Sequence, residues 1–261
     1  MTRELTQLKE SILNAAFASR EGHIPSALSI LDILWVLYNG VMNINPSDPA
    51  DDTRDRFLLS KGHAALGLYA VLADCGLIDP AELSDFCSFH SRLGGHPERT
   101  KIPFVEASTG SLGHGFPIAV GVAMGLKIRQ NSARVYTLCG DGECNEGTIW
   151  EAAMLAAHHK LDNLCCIVDH NHSTDRALDI GNLEAKFAAF GWHAVTIDGH
   201  DHSAIRTALA AQCSGSSRPF AIIAKTVKGK GFQTMEGNPA WHHKSPTSDE
   251  LADLVKELYA Q

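Results

Sequence analysis

Apolar positions follow two rhythms along this chain. Near the start they recur at helical spacing: residues 5–19 read as one helix, and 27–39, within SALSILDILWVLYN, as a second that is apolar on most faces and therefore expected to be buried. DRFLLS at 55–60 reads as a short strand, and GHAALGLYAVLADCG after it as a helix stopped by Gly76. IDPAELSDFCSF then offers Asp79 as a helix cap with proline at the first helical position. Residues 88–112 lose all periodicity and are rich in Gly, Pro, His and Ser. An irregular segment of about 25 residues inside a compact domain is more often functional than not.

GFPIAVGVAMGLKIRQ, at 115–130, carries small residues at helical spacing, which predicts close packing against another helix. A regular alternation follows: strand 134–139, helix 147–160, strand 164–169, helix 182–190, strand 192–197, helix 203–213 and strand 219–225. Asn182 and Ser203 are placed to cap their helices, and Thr247 to Glu250 has the form of a capping box opening a final one. Strands alternating with helices imply an α/β fold, a parallel sheet with helices on both faces. At 261 residues, with no repeat or linker, the expectation is a single domain spanning 1–261.

Composition narrows the partners. With 22 basic and 30 acidic residues the net charge is −8, which argues against nucleic acid or an anionic membrane. MTRELTQLKESILNAAF reads as an amphipathic helix interrupted by charges, so neither a signal peptide nor a membrane span is expected. The seven cysteines lack CxxC spacing, which suits reduced, buried thiols in the cytoplasm rather than disulfides or a zinc site. Histidine, at 14 residues, is the unusual component.

The chemistry concentrates at CGDGECNEG, 139–147, where a strand hands over to a helix. Such junctions bind phosphates on backbone N–H groups, and the carboxylate of Asp141 would repel one unless a cation intervened. The next strand ends at VDHN, and neighbouring parallel strands open onto one edge of the sheet, so Asp141 and Asn171 can meet there. A carboxylate, an amide oxygen and a backbone carbonyl form a hard-oxygen half-shell suited to Mg²⁺, with Ca²⁺ as an alternative. Asp-Gly also reads as a plain turn with Asn145 as a helix cap and no ligand at all. The absence of a third glycine disfavours an ordinary dinucleotide fold.

GDG followed after 28 residues by Asn171 resembles the thiamine diphosphate motif, and the surrounding text resembles the N-terminal half of transketolase. The resemblance runs through SREGHIPSALSILDIL, DRFLLSKGHAALGLYAVL, LGGHPE, STGSLGHGFPIAVGVAMG, CGDGECNEGTIWEAAMLAAHHKLDNLCCIVDHN, AKTVKGKG and AWHHKSP, in family order over essentially the whole chain. It implies the thiamine-diphosphate-binding fold, with Asp141, Asn171 and the carbonyl of Ser173 holding Mg²⁺. His63, Gly142, Asn171 and His242 would contact the diphosphate and its ion, and Gly110, Ser111 and Leu112 would lie against the thiamine. His23, His96 and His242 would face the donor sugar. His114 stands where the family usually has glutamine, and His170 where the broader motif often has asparagine. His158, His159, His172, His193, His200 and His202, with His170, are read as structural or solvated, as any loop histidine can be.

In this cofactor family a glutamate from a second domain activates the pyrimidine ring, and full-length transketolases carry that domain after the part matched here. The resemblance therefore implies the diphosphate-binding subunit of a split transketolase, with a C-terminal partner subunit, two copies of each chain, and sugar phosphate substrates. It would place Glu146 in a carboxylate network at the contact between the two chains; a glutamate favoured by the helix dipole fits that position equally. The expected reaction is transfer of a two-carbon ketol unit from a ketose to an aldose. The α chain of a 2-oxoacid dehydrogenase, a metal-dependent hydrolase built on the same residues, and a non-catalytic paralogue are the alternatives.

Overall fold

A computed structural model describes residues 3–212 and 217–260; Cys213, the last residue of the helix expected at 203–213, lies outside them. In chain order the regular elements are α1 (Arg3–Ser19), α2 (Ile24–Tyr38), β1 (Arg56–Leu59), α3 (Ala65–Asp74), α4 (Gly115–Ile128), β2 (Val135–Gly140) and α5 (Gly147–His158). They continue with β3 (Leu164–His170), α6 (Leu183–Ala189), β4 (His193–Asp198), α7 (His202–Ala211), β5 (Phe220–Lys225) and α8 (Ser248–Tyr259). The five strands form one sheet in the order β1-β2-β3-β5-β4, parallel throughout. This is the α/β architecture that the alternation of elements predicts.

Alternate strand residues enter opposite cores, as the period of two requires. Tyr136, Leu138, Cys165, Ile167 and Ile222 join the core beneath α1, α2, α3, α7 and α8. Val135, Cys139, Cys166, Val168 and Ile223 join the core beneath α4, α5 and α6. Every residue of α2 except Trp35 is buried, so its apolar character on all sides follows from its place between the sheet and other helices.

Several local expectations are refined. The segment after β1 opens as a 3₁₀ turn, Gly62–Ala64, before α3, which ends at Asp74 ahead of Gly76 at φ 69°. Asp79 and Glu82 form a capping box, yet Pro80–Asp85 closes as 3₁₀ rather than α-helix. The cap of α7 is Asp201, whose carboxylate accepts from the N–H groups of Ser203 and Ala204 at 2.8 and 3.2 Å; Ser203 is already helical. Asn145 does not cap α5; Glu146 occupies that position without a side-chain bond. Asn182 and Thr247 cap α6 and α8 as expected. The small residues of α4 divide in two: Ala119 and Ala123 are buried in the core, while a side chain at Gly121 or Gly125 would meet nothing within 4 Å.

Residues between Asp85 and Gly115 hold no helix or strand, yet they are anchored by buried Leu93, Ile102, Phe104 and Val105. The N–H of Thr109 bonds the carbonyl of Pro97, and its hydroxyl bonds the carbonyl of Leu59 at 2.6 Å. That bond brings the Gly110 turn to the carboxyl end of β1.

The capping assignment is directly testable. Asp201→Ala should lower stability by about 1 kcal/mol in urea denaturation, and Ser203→Ala by much less. The reverse order would restore Ser203 as the cap.

Candidate cofactor site at the carboxyl edge of the sheet

The functional residues enter where the strands end. Because β2 and β3 pair with Gly140 opposite Asp169, Asp141 and Asn171 leave the sheet side by side. One carboxylate oxygen of Asp141 accepts from the N–H groups of Asn171 and His172 at 3.1 and 2.7 Å, and the other from Gly142 at 2.8 Å. The side-chain oxygen of Asn171 accepts from Ser173 N–H at 3.1 Å, which leaves it a second lone pair. Asp141 and Asn171 are thus together, and Ser173 adjoins them through the backbone.

Asp141 is a poor place for an uncompensated anion. Burial pushes its carboxyl pKa up, and the negative charge of Asp169 adds to the effect. A cation beside it would relieve both, and all the donors on offer are hard oxygens, so the residues fit Mg²⁺ or Ca²⁺. Gly142 is required here for a reason the sequence did not show: a Cβ would lie 2.8 Å from the methyl of Thr174, in the loop that carries Ser173.

Beneath this edge lies a buried ion pair. Lys61 Nζ sits 2.5 Å from Asp169, both buried, and also donates to the hydroxyl of Ser29 at 2.9 Å and the carbonyl of Ser26 at 3.2 Å. Asp169 further accepts from Ser29 Oγ at 2.9 Å, from the hydroxyl of Thr226, and from Asn171 Nδ2 at 2.8 Å. That last bond fixes which way the Asn171 amide points. Glu143 does the same for the neighbouring turns: its carboxylate accepts from Ser60 Oγ at 2.6 Å, Gly140 N–H at 2.8 Å and Gly113 N–H at 3.1 Å.

A cleft of about 480 Å³ opens beside Asn171 and Ser173, lined also by Arg176, Thr226, Lys228 and His242. This volume is in the range of small-molecule sites. Lys228 Nζ lies 2.9 Å from His242 Nδ1. A second cavity, of about 180 Å³, is bounded by His23, His63, Gly95, His96 and His243. The ring centroid of His23 stands 5.2 Å from that of His63, 5.3 Å from His242 and 4.6 Å from His243. A Cβ on Gly110 would lie 3.0 Å from the His96 ring, and one on Gly62 2.9 Å from Gly110 N. His23, His63, His96, His242 and Gly110 therefore share one neighbourhood. Ser111 and Leu112 are exposed beside it, and Leu112 carbonyl and Ser111 Oγ hold His114 Nδ1 at 2.9 and 3.1 Å.

Glu21, bonded to His243 at 2.9 Å, is the acid that lines the smaller cavity, and the rest of the neighbourhood is imidazole and lysine. Burial, followed by the neighbouring imidazoles, pushes His23 down to about 4; burial, then Lys61, pushes His63 down to about 2. His96 and His242 are lowered chiefly by burial, and Lys228 falls to about 8 through burial and then Lys61. The imidazoles are neutral near neutral pH, free to donate from one nitrogen and accept at the other. An anionic ligand can take hydrogen bonds from Lys228 and from these imidazoles.

Among the remaining histidines, His200 and His202 both bond Asp32 at 2.8 Å, a structural role in keeping with expectation. Lys61, Glu143, Asp169 and Lys228 are not marked by the sequence pattern, although Lys61 and Lys228 sit in SKGHA and TVKGKG, glycine-flanked turns immediately after strands. Glu146 is exposed on this chain, whereas Glu143 is buried beside Asp141 in the preceding turn.

A parallel sheet whose carboxyl edge pairs an aspartate–asparagine oxygen set with a cationic, imidazole-lined cleft defines a cofactor-diphosphate-binding α/β protein. Comparison makes this specific: residues 11–260 match the family described as transketolase, thiamine diphosphate binding domain, and the chain belongs to that family of transferases. One of the subunits of the apulose-4-phosphate transketolase of Actinobacillus succinogenes is 42% identical over 243 residues, covering 91% of this chain and 87% of that protein. The corresponding polypeptide of Phocaeicola vulgatus is 35% identical over 255 residues, covering 96% and 90%. Human transketolase is 40% identical over 263 residues, covering 98% of this chain but 41% of its own length. Among solved structures, transketolase of Campylobacter jejuni superposes with a TM-score of 0.87 at 35% identity, over 100% of this chain and 43% of that one. The chain thus spans about two fifths of the full-length transketolases it matches, such as a Pichia stipitis transketolase with 40% covered at a TM-score of 0.90. No helix among the described residues is long and apolar enough to cross a membrane.

Two measurements follow from these groups. Lys61→Met leaves Asp169 buried without its partner and should cost about 3–5 kcal/mol in urea denaturation, more than Lys61→Met combined with Asp169→Leu. The second concerns pH. His23 and His63 protonate near 6.5 when unfolded but resist protonation in the fold, so their contribution is intact above about 6.5 and is lost as pH falls toward about 4 and about 2. The urea midpoint should fall between pH 7 and pH 4, and His63→Gln should flatten that fall. An unchanged slope would show that the imidazole is not held neutral.

Proposed function

We propose that this chain is the diphosphate-binding subunit of a two-chain transketolase, acting on sugar phosphates. The observation that carries the reading is the meeting of Asp141 and Asn171 at the edge of the cleft that Lys228 and His242 line. Asp141, Asn171 and the carbonyl of Ser173 would hold Mg²⁺, with Ca²⁺ able to replace it, and His63, His242 and Lys228 would meet the remaining diphosphate oxygens. Gly110, Ser111 and Leu112 would offer a backbone surface to the thiamine. When bound, thiamine diphosphate supplies the nucleophilic carbon and electron sink that ketol transfer requires.

The chain's own part is binding and proton movement. His23 and His96, which line the smaller cavity, and His242, whose ring lies 5.3 Å from His23 on the side of the larger cleft, hydrogen-bond the hydroxyls of the donor sugar. An imidazole there takes the proton from a donor hydroxyl as its carbon–carbon bond breaks, and returns one to the acceptor's aldehyde oxygen, which becomes a hydroxyl as the new carbon–carbon bond forms. Burial among one another lowers their basicity, so proton return is easy.

The pyrimidine-side glutamate comes from a partner chain, in keeping with relatives whose names mark them as one component of a multi-chain transketolase. The face around α4 and α5 suits such a partner: Ile118, Met154 and Leu155 are 43%, 51% and 46% exposed beside the bare Gly121 and Gly125. Two copies of each chain complete the assembly. The described cysteines are all free thiols, which accords with a reducing compartment such as the cytoplasm.

Co-purification followed by reconstitution tests this. The chain with its captured partner, Mg²⁺ and thiamine diphosphate should transfer a ketol unit from a ketose phosphate to an aldose phosphate, and either chain alone should not. Asp141→Ala should weaken Mg²⁺-dependent cofactor binding by at least about tenfold, while His23→Ala should lower turnover with cofactor affinity kept. Full-rate turnover by this chain alone, or a complex that only decarboxylates 2-oxoacids, would overturn the reading.

A further inference from the structure

The loop that leaves β3 carries a second set of donors with a different chemistry. His170, the last residue of β3, His172 and Asp175 each place one donor atom within 4.8 Å of the other two. The two imidazole rings lie with centroids 4.0 Å apart, and His172 Nδ1 is 2.7 Å from one carboxylate oxygen of Asp175. The other oxygen of Asp175 is buried and has no hydrogen-bond partner. An orphaned carboxylate oxygen beside two imidazoles is a costly arrangement to keep without a ligand.

We infer that His170, His172 and Asp175 form a binding site for a first-row transition dication of the Zn²⁺ class, separate from the hard-oxygen site of Asp141 and Asn171. Two imidazoles and a carboxylate match the ligand preferences of Zn²⁺, Co²⁺ and Ni²⁺, whereas Mg²⁺ prefers oxygen donors. Three protein ligands leave a fourth position for water. Ligands on a tetrahedral Zn²⁺ stand about 3.3 Å apart, so the 2.7 Å hydrogen bond between His172 and Asp175 needs to open by only about half an ångström. His172 is held at φ 62°, a left-handed conformation that a histidine adopts at some energetic cost, and its N–H is tied to Asp141. The backbone thus turns the imidazole toward Asp175 before any ion arrives.

The site has a consequence for the neighbouring one. Asn171 and Ser173 lie between its ligands in the chain, so an ion bound by His170, His172 and Asp175 closes a loop around the residues that face the cleft.

The test is a calorimetric Zn²⁺ titration of the full chain in millimolar Mg²⁺, repeated with Co²⁺ to read the visible bands of a low-symmetry, four-coordinate ion. One equivalent should bind, and His170→Gln, His172→Asn and Asp175→Asn should each weaken it by at least about tenfold. Asparagine is chosen at His172 because it tolerates the left-handed backbone; circular dichroism identifies any variant that fails to fold, and the other two then carry the result. Asp141→Asn, which keeps an oxygen acceptor for the His172 N–H, should leave Zn²⁺ binding in place. The inference is overturned if no stoichiometric binding occurs, or if binding survives the three ligand variants.

Discussion

Everything at the site hangs on the ion pair of Lys61 and Asp169. Asp169 has no exposed surface and Lys61 only 2%, so the charges are stable only because each is saturated with hydrogen bonds. Those bonds reach the turn after β1 through Lys61, α2 through Ser29, the end of β5 through Thr226, and Asn171 beyond β3. One buried carboxylate thereby sets the relative positions of the chain segments that converge on the cleft. It also turns the amide of Asn171 so that its oxygen faces away from the pair.

The same carboxylate shapes the electrostatics. Its charge helps push the Asp141 carboxyl up, and that makes the outer position attractive to a cation. Lys61 acts in the opposite sense on the other wall, lowering His63 and Lys228 after burial has done most of the work. The edge of the sheet thus presents a carboxylate that wants a cation beside cationic and neutral donors that want an anion. A metal diphosphate meets both demands at once, which is a stronger reason for that ligand than either half alone.

Much of this architecture is readable from the pattern of residues. Parallel strands buried on both faces are apolar without interruption, so VYTL, LCCIVD and FAIIAK announce themselves, and the alternation with amphipathic helices sets the topology. The meeting of Asp141 with Asn171 follows from strand adjacency alone. Other features lie outside what such a pattern can carry. Asp201 rather than Ser203 caps α7 because the cap is decided by backbone register, here two residues earlier than the pattern places it. Asp169 reads as the tail of a strand, since its partner Lys61 is 108 positions away and only the folded sheet brings them together. Glu143 and Glu146 both follow GDG at turn spacing, and only the 3₁₀ geometry of Asp141–Asn145 singles out the former by pointing it inward.

If ion and diphosphate share one site on this chain, Mn²⁺ substituted for Mg²⁺ reports it by electron paramagnetic resonance. Free Mn²⁺ is titrated against the chain and its partner, with and without thiamine diphosphate, while ³¹P relaxation of the cofactor is followed. Each ligand should tighten the other by the same factor, with both phosphorus nuclei relaxed by the bound ion. Independent binding, with unrelaxed phosphorus, would show that ion and diphosphate occupy separate sites.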